Sequence, residues 1–264
     1  MLALVRGELF KLTHRMMTRV LLLIVFCAPV ATYVLLGTTG NSEDGDVLND
    51  YRLEAVPDNG MFIIYQLAMI TAIVLTATSV ASEFTWGTIR TLLPRTAGRV
   101  PFLSAKLAII GVYLVVAVVL GFLAALTGSA IVTTVKDLDS GIGDNFLGQL
   151  GGAMVRTGYA VLPYVAMAFL ISLWSRSSAA GIAVPIVVFY AEVLLTPAFT
   201  SAEALEWLPN ALLYSANISS LVDSDAVLAK EDLPNYPQAA GVLAVYIAAF
   251  ISLAYARFLT RDVT

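Results

Sequence analysis

Six long apolar runs govern what this chain can become: residues 20–36, 61–82, 102–135, 151–174, 179–199 and 239–259. Each is close to or beyond the ~20 residues that a helix needs to cross ~30 Å of hydrocarbon. Backbone in hydrocarbon has no water to bond, so it must satisfy itself as a helix or a closed barrel. The runs are continuous rather than alternating, which selects helices. Composition agrees: the chain is 59% apolar and 13% charged, where soluble domains run at about 45–50% and about 25%. The expected fold is an all-α integral membrane protein, one transmembrane domain over residues 1–264 with six transmembrane helices.

The segments between the runs are short and distinct. Residues 1–19 carry Val5, Leu9, Leu12 and Met16 at spacings of three and four, with Arg6, Lys11, Arg15 and Arg19 supplying charge. This pattern predicts an N-terminal interfacial amphipathic helix lying on the membrane surface. Pro29, Pro163 and Pro185 fall inside runs, where membrane helices tolerate proline as a kink. Gly121, Ala124, Ala125 and Gly128 place small residues on the third run, the pattern of close helix approach within a bundle. Residues 37–60 and 136–150 read as solvated acidic loops. Residues 200–238 are too long for a featureless connection. Their stretches 204–208 and 211–221, broken by Pro209, predict an outer helical hairpin before the last span. Asn217-Ile218-Ser219 fits a glycosylation sequon and reads as a chance match.

Charge orients the bundle. Arg6, Lys11, Arg15, Arg19, Arg90, Arg95, Arg99, Lys106, Arg176, Arg257 and Arg261 fall on one side of a six-span layout and make up most of the 15 Lys and Arg. Arg52, Lys136 and Lys230 fall on the other. Short loops rich in Lys and Arg stay cytoplasmic, so both termini are expected to be cytoplasmic, in a multi-pass protein of the cytoplasmic (inner) membrane. Two charges stand well inside runs, Arg156 in the fourth and Glu192 in the fifth, both in the outer half. A charge at the bilayer centre costs at least ~2.5 kcal/mol, so each needs a partner or water. The expectation is an intramembrane polar pair, Arg156 with Glu192, or a polar cavity that both face.

Several function classes drop out. One cysteine, Cys27, and one histidine, His14, leave little for a metal cluster or for nucleophilic catalysis. No GxxxxGK[ST] loop is present, so the chain lacks the backbone cradle that holds nucleotide phosphates. No basic face is left over for nucleic acid. The chain reads as a non-enzyme with no catalytic, cofactor-binding or metal-binding residue of its own.

Residues 83–101 form a short, basic, amphipathic insert between the second and third runs. Phe84, Trp86, Ile89, Leu92 and Leu93 recur at near-helical spacing, Pro94 stops the helix, and Gly98 and Pro101 mark a turn. Arg90, Arg95, Arg99 and Lys106 outweigh Glu83, a balance that suits the anionic cytoplasmic leaflet. The physical reading is a short cytoplasmic coupling helix, with an ordinary positive loop as the alternative.

The wording of the insert adds to that reading. Glu83 leaves a span, Gly87-Thr88 and Arg90 follow, Leu92-Leu93-Pro94 stops the helix, and Arg99 and Lys106 open the next span. This pattern resembles the permeases of type-2 (exporter-type) ABC transporters, and the six-span layout resembles them over essentially the whole chain. Thr96-Ala97-Gly98 stands before Arg99 where that family more often has Pro and Ser. The resemblance implies that Glu83, Phe84, Trp86, Gly87, Thr88, Arg90, Leu93, Arg99 and Lys106 couple the spans to a separate ATP-binding cassette ATPase subunit, which would hold ATP and Mg. It also implies a second permease copy, as homodimer or heterodimer, and export of hydrophobic or amphipathic cargo. The alternative from a different class is an ATP-independent secondary carrier or channel that uses Glu192 and Arg156.

Overall fold

The computed structural model describes residues 2–39, 51–87, 98–138, 142–201, 205, 207–213, 216–222 and 234–260. Among the described residues the chain is all-helical. Helix α1 (Leu2–His14) is followed by α2 (Met16–Thr39), a single 3-10 turn at Leu53–Ala55, α3 (Val56–Thr85) and α4 (Arg99–Val135). Next come α5 (Phe146–Ser175), α6 (Ser178–Thr200), the short α7 (Leu208–Ala211) and α8 (Asn217–Leu221), and finally α9 (Tyr236–Thr260). Six of these helices, α2 to α6 and α9, are long and apolar enough to cross a membrane. The chain is thus a multi-pass membrane protein by length and composition of its helices.

The helices overrun the apolar runs at several ends. Helix α3 begins at Val56 rather than Met61, and α5 at Phe146 rather than Gly151. Hydropathy marks where hydrocarbon would begin, whereas backbone bonding continues into polar sequence once a helix is nucleated. Pro57 lies in the first turn of α3 and Pro209 in the first turn of α7. There the missing N–H is no loss, so Pro209 starts a helix instead of breaking one. The sequon asparagine is fully buried, and its amide donates to Asn210 O (2.8 Å) and Leu212 O (2.7 Å). Asn217 is therefore a brace between α7 and α8 with no surface to offer a glycan.

Helices α3 and α5 are the centre of the bundle. Their most apolar windows are 67% and 72% buried, against 22%, 28% and 17% for α2, α6 and α9. Hydroxyls along the spans are turned back onto their own helices: Thr71 donates to Leu67 O, Thr78 to Val74 O and Ser172 to Ala168 O. Such bonds hide a polar group that lipid cannot satisfy. The small residues of α4 serve contacts inside the bundle. A Cβ at Gly121 would strike the Ile64 side chain of α3, and one at Gly128 would strike Tyr33 Cβ and the Val30 backbone of α2. Gly37 of α2 faces Val132 of α4 in the same way.

The turn between α5 and α6 is tight because two residues meet its demands. Arg176 takes the left-handed conformation that ends α5 (φ 56°), and the Ser177 hydroxyl accepts from Ala180 N at 3.4 Å to cap α6. Gly181 then lets α6 lie flush on α3 and α5. A Cβ there would overlap the Ser172 hydroxyl and come within 2.9 Å of Ala77 Cβ. Gly181→Val is expected to lower the thermal midpoint of the detergent-solubilised protein, by overpacking of about 1–3 kcal/mol. Gly241→Ala, whose added carbon meets nothing within 4 Å, is the control that should melt like wild type; equal melting of both variants would contradict the close contact.

Candidate functional site

One end of the bundle gathers four parts of the chain around a closed ring of charges. Glu8 and Lys11 come from α1, Glu83 from the last turn of α3 and Lys106 from the second turn of α4. Lys11 Nζ lies 2.7 Å from Glu8 Oε1 and 3.2 Å from Glu83 Oε1. Lys106 Nζ lies 3.2 Å from Glu8 Oε2 and 3.2 Å from Glu83 Oε1. Each lysine thus donates to both carboxylates, and the ring carries no net charge. Glu83 and Lys106 are each 3% exposed. Charges so deeply removed from water persist only when paired and hydrogen-bonded.

Lysine suits this position for a stereochemical reason. An ammonium has three donors on a flexible stem. Lys106 directs two at the carboxylates and lies 5.4 Å from the centre of the Phe102 ring, whose face attracts the remaining positive charge. Burial alone would push the Glu8 carboxyl up, but the Lys106 charge and the Lys11 hydrogen bond outweigh it and hold it below its ordinary 4.5. Burial alone would likewise lower the Lys11 ammonium, but Glu8 and Glu83 raise it above its ordinary 10.5.

Around the ring, cationic side chains lie on aromatic faces and helix ends. Arg15 stands over Trp86 at 5.9 Å and reaches Ser82 Oγ at 3.5 Å. Arg176, in the turn between α5 and α6, stands over Phe84 at 5.5 Å, and Arg257 of α9 over Trp174 at 5.5 Å. Arg99 donates to Phe258 O (3.3 Å) and Leu259 O (2.9 Å), the unsatisfied carbonyls at the C-terminus of α9. The N-terminal helix, both flanks of the insert, the turn after α5 and the end of α9 therefore share one end of the bundle.

The nine residues expected to couple fall into three groups. Glu83 and Lys106 meet inside the ring, while Phe84, Trp86 and Arg99 lie on its rim, Trp86 being 70% exposed. Gly87 follows α3 with φ 65°, and Gly98 precedes α4 with φ 129°. Both values belong to the left-handed side of conformational space that side chains disfavour. Thr88, Arg90 and Leu93 lie outside the described residues, as does the rest of the expected coupling helix across 88–97.

Two site residues escape a reading of the sequence: Glu8 and Lys11. The sequence places the apolar stripe Val5, Leu9, Leu12 and Met16 on the membrane surface. Leu12 packs against the apolar core, Val5 is half-buried, and Leu9, Phe10 and Met16 are exposed, at 39%, 64% and 80%, while Glu8 is buried. The face of α1 turned to the bundle carries Glu8 and Lys11 together with Leu12. The available signal is Glu8 itself, an isolated acid among basic residues, three residues before Lys11.

The intramembrane charges do not form the expected pair. Arg156 of α5 donates to Tyr236 OH at 3.2 Å and stands 5.5 Å over the same ring. Glu192 of α6 accepts from Tyr164 OH at 3.4 Å. A tyrosine hydroxyl can donate to an acid and accept from a base, so each charge finds its own phenol on a neighbouring helix. Among the described residues no three His, Cys, Asp or Glu side chains converge on a common point.

Breaking the ring on one side should cost far more than removing a whole edge. Lys106→Met leaves a buried excess negative charge and is expected to destabilise by roughly 3–5 kcal/mol. Lys106→Met with Glu83→Met leaves the neutral Glu8–Lys11 pair and should recover most of that loss in detergent melting curves. Equal loss in both variants would mean that the ring's neutrality is unimportant. The ring also fixes a pH window. The depressed Glu8 contributes stability above its ordinary 4.5, lost as pH falls through its folded value. The raised Lys11 contributes below its ordinary 10.5, lost as pH rises through its folded value. Melting should show no ring-derived slope between these limits.

A family model described as "Protein of unknown function (DUF2705)" matches residues 16–264. The uncharacterized protein YhcI of Bacillus subtilis (strain 168) is 25% identical over 240 residues, covering 82% of this chain and 74% of that protein.

Proposed function

The chain belongs to the DUF2705 family, whose description states no activity, and from the geometry we propose that it is the membrane-spanning permease subunit of an ATP-driven ABC exporter in the cytoplasmic membrane. The observation that carries this reading is the buried ring. It fastens the exit of α3 and the entry of α4 to each other and to α1, so a force applied to the segment between them reaches two spans and the surface helix together. Gly87 and Gly98, both at positive φ, stand at the two roots of that segment. Exposed Trp86 at the same end supplies an apolar handle for a partner subunit.

In this reading both termini are cytoplasmic, and an ATP-binding cassette subunit, which holds ATP and Mg, docks under residues 84–94. Its closure tilts the segment, α1 braces the movement at the membrane surface, and a cavity between two permease copies changes its access. The outward faces of α2, α6 and α9, largely unburied in one chain, leave room for a second copy, as homodimer or heterodimer. Hydrophobic or amphipathic cargo fits a bundle whose spans present mostly aliphatic surface. The rival carrier reading needs Arg156 and Glu192 on one path, and their separate tyrosine partners disfavour it.

Two measurements test the proposal. A single cysteine at Trp86, in a Cys27→Ala background, should cross-link to a nucleotide-binding subunit in native membranes. Labelling of that cysteine by an impermeant reagent from outside would overturn the orientation. Gly87→Val places a β-branched residue at a left-handed position, a local strain of about 1–2 kcal/mol. It should leave the spans folded while ATP hydrolysis by the purified complex continues and cargo movement falls. Unchanged coupling would count against the lever.

A further inference from the structure

We propose that the face between α4, α5 and α9 is a binding site for an anionic phospholipid, with the phosphate held by Arg156 and one acyl chain lying in the adjoining groove. The inference stands apart from the transport reading and needs only that the six helices cross a bilayer.

The groove is an apolar cavity of about 420 Å³ between α4 and α5, lined by Gly111, Val115 and Val119 on one side and Val155, Gly158 and Leu162 on the other. A second cavity of about 150 Å³ shares Gly111, Leu114 and Leu162 with it and extends to Leu107 of α4 and Ile251 of α9. Together they follow α4 from Leu107 to Val119, about 18 Å at 1.5 Å per residue. That is close to the depth of one leaflet of a ~30 Å hydrocarbon layer, the reach of one acyl chain. Glycines make the depression: a Cβ at Gly111 or at Gly158 would meet nothing within 4 Å.

Charge says what fills it. Arg156 follows Val155 at the end of the groove nearest the start of α9. Side chains on a helix lean toward its N-terminus, and Arg156 accordingly reaches Tyr236 in the first turn of α9. Tyr159 lines the groove and donates to Ala240 O at 2.7 Å. Beside that end of the groove stand Arg156 and Tyr236, in contact with each other, and Tyr159 in the groove wall, tyrosine being a residue type enriched at the headgroup level of membranes. Among the described residues no carboxylate pairs with Arg156. A phosphate meets the fork of the guanidinium with two parallel hydrogen bonds, and the chain beneath it covers the apolar wall that the fold leaves open.

Native mass spectrometry of the full chain, solubilised with phosphatidylglycerol or phosphatidylcholine of the same acyl chains, tests this. Wild type should retain phosphatidylglycerol about fivefold better, the size expected of one basic residue facing an anionic headgroup. Arg156→Gln should abolish that preference. Gly158→Leu, whose Cβ meets nothing within 4 Å and whose side chain would occupy the groove, should lower retention of both lipids and keep their ratio. Excess glycerol phosphate should not displace bound phosphatidylglycerol, because the chain is part of the site. The proposal falls if wild type shows no headgroup preference, if Arg156→Gln keeps it, or if Gly158→Leu retains lipid at the wild-type level. It also falls if glycerol phosphate competes, or if disulfide cross-links from cysteines placed at Val115 and Val155 show the groove covered by a second copy. Should Arg156→Gln fail to fold, the wild-type preference and the Gly158→Leu result still decide.

Discussion

A closed, neutral ring of two carboxylates and two ammonium groups holds one end of this molecule together. Burying Glu8, Glu83 and Lys106 is unfavourable unless each is compensated, and here each lysine, the half-buried Lys11 included, faces both glutamates. The consequence is cooperativity. Helix α1 cannot leave the bundle without taking from Lys106 and from Glu83, which are almost without water, one of the ring partners that each has. The exit of α3 cannot separate from the entry of α4 without opening the same ring. Helix α1 becomes part of the bundle through its charges, and the connection between α3 and α4 has its two roots fixed side by side.

Outside the ring, basic residues have different work. Arg15 and Arg257 rest on tryptophan faces, and Arg156 rests on a tyrosine. A cation on an aromatic face keeps its charge and much of its hydration, and the contact is worth less than a buried ion pair but costs little to desolvate. The molecule thus separates its charges into two kinds. Those in the ring cancel and fasten helices, while those on aromatic faces remain electrically visible at the ends of the bundle, where anionic lipid headgroups would meet them.

The six spans were legible in the sequence because hydrocarbon allows so few structures that continuous apolar runs leave one answer. Glu83 and Lys106 were legible as flanks of one short insert, but not as each other's partners, since Arg90, Arg95 and Arg99 stand closer to Glu83 in sequence. Glu8 and Lys11 were not legible. An apolar stripe directs attention to Leu9 and its neighbours, which are exposed here, and carries no signal that the opposite, charged side of α1 also enters the bundle through Glu8. The separation of Arg156 from Glu192 was hidden for a related reason. The rule that a membrane charge needs a partner does not require that the partner be charged, and the partners here include Tyr236 for Arg156 and Tyr164 for Glu192. Where helices end was also obscured, as at Val56 and Phe146, because backbone bonding does not stop where hydropathy does.

The location of the ring matters as much as its chemistry. Glu83 terminates α3, which with α5 is the most enclosed helix of the bundle. Helix α3 is joined to its neighbours by contacts with no slack: Gly121 of α4 admits Ile64, and Gly181 of α6 lies against Ala77. Close-packed interfaces of this kind deform little and transmit displacement from one element to the next. Had the ring been built on α2 or α9, whose surfaces are mostly open, movement at that end would have been absorbed by lipid. Because it is built on α3, a shift of a few tenths of an ångström at the charged end must be met by α4, α5 and α6 together, while the outer faces of α6 and α9 stay free to slide. That asymmetry, a rigid centre tied to a charged end and a loose periphery, is what the proposed lever requires of the fold.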